Sequence, residues 1–152
     1  MSCDRNGIKY SVSKIYADVN AEKGSEWYEH NNFKPEYHSP DPYYLYQKVG
    51  RGKYSTVFKA FKKKSHPVAI KTLVPLDPRR YLREIKILTN LRGGANIVAL
   101  EDLVHDPYTN IYSFVFEWVE FVDWRAVYNT FTIDDIRLYM YKLLLALDYS
   151  HS

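Results

Sequence analysis

Val49-Gly50-Arg51-Gly52-Lys53-Tyr54-Ser55-Thr56-Val57, followed by the apolar run Val68-Ala69-Ile70-Lys71, is the stretch on which the reading of this chain turns. Glycines two apart occur in ordinary tight hairpins, so the string alone does not single out a ligand. Its flanks are more informative. Tyr43 to Val49 and Thr56 to Phe61 are both rich in aromatic and β-branched residues, which places the glycines at a strand-turn-strand junction. Where glycines bind dinucleotides or sit in a Walker loop they open a helix, whereas here strand-forming residues continue directly past them. The string therefore reads as a hairpin flap whose glycines let the backbone approach phosphate oxygens closely. Ser55 stands where a third glycine would be, which stiffens the flap.

The bulk properties allow one ordinary domain with a real core: 152 residues, 46% hydrophobic and 26% charged. A single cysteine, Cys3, excludes an internal disulfide, and no Cys/His cluster has zinc-ligand spacing, so no metal site is expected and a reducing compartment fits. The N-terminus lacks the apolar core of a signal peptide, and no stretch approaches the ~18 uninterrupted apolar residues of a membrane span. A soluble intracellular protein without a membrane partner is expected. The net charge of +3 does not argue for specific nucleic-acid binding, although Lys62-Lys63-Lys64 and Arg79-Arg80 with Arg83 and Lys86 are local basic clusters.

Residues 1–42 are polar with scattered aromatics (Tyr10, Tyr16, Trp27, Tyr28, Phe33, Tyr37) and no sustained period, which predicts an extended arm strapped over a surface. Ser39-Pro40-Asp41-Pro42 punctuates its end. Strands are predicted at 43–50, 54–62 and 67–74. Pro75 to Pro78 then breaks the sheet, and a helix is predicted from Arg79 to Arg92, stopped by Gly93-Gly94. Two more strands, Ile97 to His105 and Ile111 to Val119, flank the turn sequence Asp106-Pro107-Tyr108-Thr109-Asn110, completing a five-stranded, mostly antiparallel sheet. Thr132 with Asp135 resembles a capping box, after which Ile136, Tyr139, Met140, Leu143, Leu144 and Leu147 repeat at helical spacing along one amphipathic helix. Asp102, Asp106, Asp134 and Asp135 read as turn or cap residues.

On a helical wheel, Ile87, Leu91, Glu84, Leu88, Tyr81 and Ile85 share one arc, with Lys86, Arg83 and Asn90 opposite. Glu84 falls mid-arc. A carboxylate buried there needs a cation, and Lys71 at the end of the central strand is the candidate; alternatively Glu84 lies at the rim and reaches solvent. A lysine held by a glutamate beneath a glycine hairpin is the arrangement that the α- and β-phosphates of a nucleotide require.

The flap, Lys71 and Glu84 resemble the amino-terminal lobe of a protein kinase, and several strings are similar more narrowly to the catalytic (alpha) subunit of casein kinase II. These include Tyr16-Ala17-Asp18-Val19-Asn20, Gly50-Arg51-Gly52-Lys53-Tyr54-Ser55, Arg83-Glu84-Ile85-Lys86-Ile87-Leu88, Asn90-Leu91-Arg92-Gly93-Gly94, Asp135-Ile136-Arg137, Tyr139-Met140-Tyr141 and Ala146-Leu147-Asp148-Tyr149. The resemblance runs from about residue 14 onward. It implies an α+β fold, with an extended arm over 1–42, a kinase amino-terminal lobe and hinge over 43–119 (a five-stranded antiparallel sheet plus one helix), and the first helices of an incomplete carboxy-terminal lobe over 120–152. It also implies a serine/threonine kinase that uses ATP, with GTP as an alternative, and Mg2+, and phosphorylates Ser/Thr in acidic contexts in the nucleus and cytoplasm. Lys71 and Glu84 would be the catalytic pair. Val49, Gly50, Arg51, Gly52, Lys53, Tyr54, Ser55, Thr56 and Val57 would cover the nucleotide. Ala69 and Val98 would lie deeper, Phe116 would be the gatekeeper, and Glu117-Trp118-Val119 would be the hinge. Asp123 falls at the ribose end but could equally cap a short helix. Phe116 and Val119 could also be plain strand packing.

The departures are as specific as the matches. Leu76-Asp77-Pro78 interrupts the family's lysine-rich run and leaves Arg79, Arg80 and Arg83, so weaker polyanion binding is expected. Glu120-Phe121 after the hinge is atypical and leaves ATP-versus-GTP preference open. Leu45 and Phe58 resemble the dock for the regulatory beta subunit, but Thr72 is polar where the family has an aliphatic residue. The chain stops at Tyr149-Ser150-His151-Ser152, before the place where the family has its catalytic aspartate, magnesium ligands and activation segment. The 152-residue polypeptide alone is therefore expected to be inactive, with the metal ligands outside it and the apolar face of its last helix uncovered. The expectation from the other class is a complete, non-catalytic nucleotide-binding or decoy module that titrates the regulatory subunit.

Overall fold

The computed structural model describes residues 2–3, 9–10, 16, 19, 23–74, 77 and 79–152. Most of the first half of the arm, three residues of the Tyr16–Asn20 string and the break expected over Pro75 to Pro78, Asp77 apart, lie outside the described residues.

Strands β1 (Tyr43–Arg51), β2 (Ser55–Lys62), β3 (His66–Leu73), β4 (Leu100–Asp106) and β5 (Ile111–Glu117) form one antiparallel sheet in the order β1-β2-β3-β5-β4. The fold class is the α+β arrangement expected for a kinase amino-terminal lobe. The strand limits follow the sequence closely except at two places. β4 begins at Leu100 rather than Ile97, and β5 ends at Glu117 rather than Val119. The cause is a tertiary contact: the Glu117 carboxylate accepts the Ala99 N–H at 2.8 Å, while the Glu117 N–H donates to the Ala99 carbonyl at 3.1 Å. This reciprocal pair closes the ladder. Asn96, with a φ of 59°, has already turned the chain.

Helix α1 (Arg79–Leu91) covers the inner face of the sheet. Tyr81 and Ile85 are buried with Leu73, Leu100, Leu103 and Phe114, and Leu88 and Phe116 pack against them. Ile85 and Phe114 are wholly inaccessible. Burial at that level contributes about 1.5–3 kcal/mol per side chain and sets the rotation of the helix. The Tyr81 hydroxyl donates to the Val74 carbonyl at 2.5 Å and fastens the first turn to the end of β3. Gly93 takes a φ of 84°, the left-handed conformation with which helices end, as the sequence predicts. On the outer face a second cluster gathers Ala60, Val68, Ile70, Val104 and Val115.

Among the described arm residues, Ser2–Cys3 pairs with Lys9–Tyr10 in a two-residue ladder and Ser25–Tyr28 forms one helical turn. Asn90 of α1 donates to the Trp27 carbonyl at 2.9 Å. His38 forms a parallel bridge with Val104 at the edge of the sheet, and Phe33 and Tyr37 pack on the inner core. After β5 come a helical turn at Trp124–Val127, a 3-10 turn at Tyr128–Thr130, and helix α2 (Ile133–His151). Both halves of the Thr132–Asp135 capping box are made. No residue of α2 is buried, and its Ile136, Tyr139, Met140, Leu143, Leu144 and Leu147 stripe is exposed.

Candidate functional site

The strand register brings the flap and the lysine together. Gly50 pairs with Val57, Val57 with Lys71, and Lys71 with Phe114, so one row of the sheet carries all four. Two residues along, Lys59, Ala69 and Phe116 form a parallel row on the same face. Val57, Ala69, Lys71 and Phe116 thus share the inner surface with the flap at its rim. Val49 and Tyr54 are exposed at that rim.

The flap itself tests why glycine is present. Gly24 and Gly93 have positive φ values; Gly50 and Gly52 do not. A Cβ on Gly50 would meet nothing within 4 Å, and one on Gly52 would meet only the Ser55 carbonyl at 3.8 Å, an ordinary contact. The turn is closed by the Gly52 N–H donating to that carbonyl at 2.8 Å. Neither backbone strain nor packing within the chain demands glycine at either position. Both positions leave open space above the flap backbone.

Lys71 Nζ donates to Glu84 Oε1 at 2.5 Å and lies 5.5 Å from the centre of the Phe114 ring. The side chains are 28% and 43% exposed. Glu84 is therefore not in the middle of a buried face. The wheel is corrected: the helix seats on Tyr81, Ile85 and Leu88, which turns Ile87 toward solvent and the arm and leaves Glu84 at the margin. An ion pair this accessible adds about 1 kcal/mol or less to stability. Its effect is positional: it holds one ammonium on the inner face beneath the flap.

The remaining expected residues are placed as follows. Phe116 is partly buried and packs on the core, while Val98 lies exposed in the loop before β4 and Val119 lies exposed after β5. Glu117 spends its side chain on Ala99. Asp123 Oδ1 accepts the Arg125 N–H at 3.0 Å, the N-capping alternative left open by the sequence. Arg79, the first residue of α1, is tied to Asp77 through bonds of 2.6 to 3.1 Å, so its charge is compensated. Among the described residues no group of three or more His, Cys, Asp or Glu side chains could hold a metal ion, and no helix is long and apolar enough to cross a membrane.

Two arrangements escape sequence reasoning. Asp102, expected in a turn or cap, sits within β4, where it accepts from the Tyr43 hydroxyl at 2.5 Å, His38 Nδ1 at 2.6 Å and its neighbour Leu103 N–H at 2.8 Å. After β5, Glu120 Oε1 accepts from both Lys59 Nζ at 3.1 Å and the Trp118 indole at 2.7 Å. Their partners are distant in sequence or ordinary in type, and no motif spacing announces them. Compared with known families, residues 43–152 match the model of the protein kinase domain.

Proposed function

This chain belongs to the protein kinase family, and on that premise we propose that it is a serine/threonine kinase chain of the casein kinase II catalytic type, its inner sheet face and flap holding ATP. The observation that carries the nucleotide site is the conjunction of Gly50 and Gly52, which the chain's own geometry does not require, with Lys71 held by Glu84 on the same row. Protein kinases transfer the γ-phosphoryl group of ATP with Mg2+ to neutralise the developing charge. In this chain Lys71 would meet the α- and β-phosphates, Glu84 would fix its position, and the flap amides would cover them. Val57, Ala69 and Phe116 would bound the base. No described residue is assigned the proton-accepting or metal-binding roles, so the polypeptide of residues 1–152 would hold nucleotide without transferring phosphoryl. Calorimetric titration with ATP checks this: binding is expected, and Lys71→Met should weaken it about tenfold or more, the loss of a charge-assisted hydrogen bond. Casein phosphorylation by the same polypeptide should stay at background. Absence of ATP binding, or equal binding by the Lys71→Met variant, contradicts the proposal.

The narrower subtype rests on the strings quoted above. Acidic substrates would meet Arg80 and Arg83, both exposed, and nucleus and cytoplasm would be the location. The regulatory beta subunit would dock on the outer sheet face, where exposed Leu45 borders a groove with Ile70 and Thr72 and partly buried Phe58 lies in register with Ile70. Binding of that subunit, lost on Leu45→Glu, would support the subtype. No binding by the unsubstituted chain would sink it.

A further inference from the structure

We propose that Lys59, Trp118 and Glu120 form a clasp that sets how firmly this chain grips the base of a nucleotide. The inference rests on the nucleotide reading and assigns positioning residues to that site. Lys59 leaves β2 two residues beyond Val57 and pairs with Ala69, so it stands on the ligand-facing side of the sheet. Its side chain is only 22% exposed. The ammonium lies 4.4 Å from the centre of the Trp118 ring, a cation-π contact, and donates to Glu120 Oε1. The Trp118 indole N–H donates to the same oxygen. These two bonds, the indole first, hold the Glu120 carboxyl below its usual range, so it is ionised at neutral pH.

The run between Glu117 and Glu120 is consequently pinned at both ends. Glu117 is bonded to Ala99 of the loop before β4, and Glu120 to Lys59 of β2. A base lying between the flap and this run meets backbone groups whose positions are already fixed, and binding then costs less ordering. The Glu120 side chain is 80% exposed, so the clasp adds little to folding and its removal should leave the melting curve unchanged.

Titration of the chain, of Lys59→Met and of Glu120→Gln with ATP and with inorganic tripolyphosphate tests the idea. Both variants should bind ATP about three- to tenfold more weakly, bind tripolyphosphate as the unsubstituted chain does, and shift the Trp118 emission. The conservative variant Lys59→Arg, which keeps a cation over the Trp118 ring and a donor to Glu120, should retain most of the ATP affinity. Equal ATP affinity in all variants overturns the clasp alone, and so does a parallel loss for tripolyphosphate, since that places the effect at the phosphate end. Failure of the unsubstituted chain to bind ATP overturns the nucleotide reading and the clasp with it.

Discussion

Asp102 shows what one partly buried carboxylate can do: it ties His38 of the arm and Tyr43 of β1 to β4. Burial alone would raise its pKa, but the Tyr43 hydroxyl, the His38 imidazole and the Leu103 N–H together outweigh that and hold the carboxyl below its usual range. Tyr43 moves the other way, raised by burial first and then by its bond to Asp102. The signs give two limbs. The Asp102 contribution is complete above the ordinary carboxylate pKa of 3.8 and is lost as pH falls through the lower folded value. The Tyr43 contribution is complete below its ordinary 10.0 and is lost as pH rises toward the raised folded value. Asp102→Asn should lower stability at neutral pH by about 1–3 kcal/mol, as expected for hydrogen bonds to a charged group. It should also flatten the acid limb of a denaturation series run below pH 4. An acid limb unchanged in the variant would show that other carboxylates govern it. The role was illegible in the sequence because an aspartate among Glu101 and Leu103 looks like a boundary residue, and its partners Tyr43 and His38 lie 59 and 64 positions away.

The secondary-structure elements were far more legible, and the physical reason is local. The Thr132–Asp135 box, the Gly93 stop and the Asp106–Asn110 turn each satisfy backbone groups with neighbours in sequence. Where a boundary depended on a distant partner, it moved: Glu117 reaching Ala99 ends β5 two residues early and delays β4. The rotation of α1 was likewise set by the sheet beneath it, which is why Ile87 and Glu84 are less buried than the wheel suggested. Gly94 is a further tertiary case. A Cβ there would lie 2.3 Å from two carbons of the Tyr149 ring, so the second glycine of Asn90-Leu91-Arg92-Gly93-Gly94 makes room for α2 rather than ending α1. Asn96 donates to the Lys142 carbonyl at 3.2 Å and Tyr16 to Asp148 at 2.7 Å, and these add to the same attachment.

At the scale of the whole molecule, a sheet with apolar clusters on both faces carries the flap at one rim and the Lys71–Glu84 pair beneath it. The flap, the lysine and the glutamate were readable because each is a residue type at a short, fixed spacing on a strand or helix. The clasp that follows β5 was not, because it joins β2 to a segment some sixty residues later. Amide hydrogen exchange of the chain with and without saturating ATP tests the central claim most directly. Slowed exchange over residues 50–57 and 117–120, reduced in Lys71→Met at an ATP concentration that only just saturates the unsubstituted chain, is the expected result. Unchanged exchange in both segments, or protection confined to the outer face around Leu45 and Ile70, would contradict it.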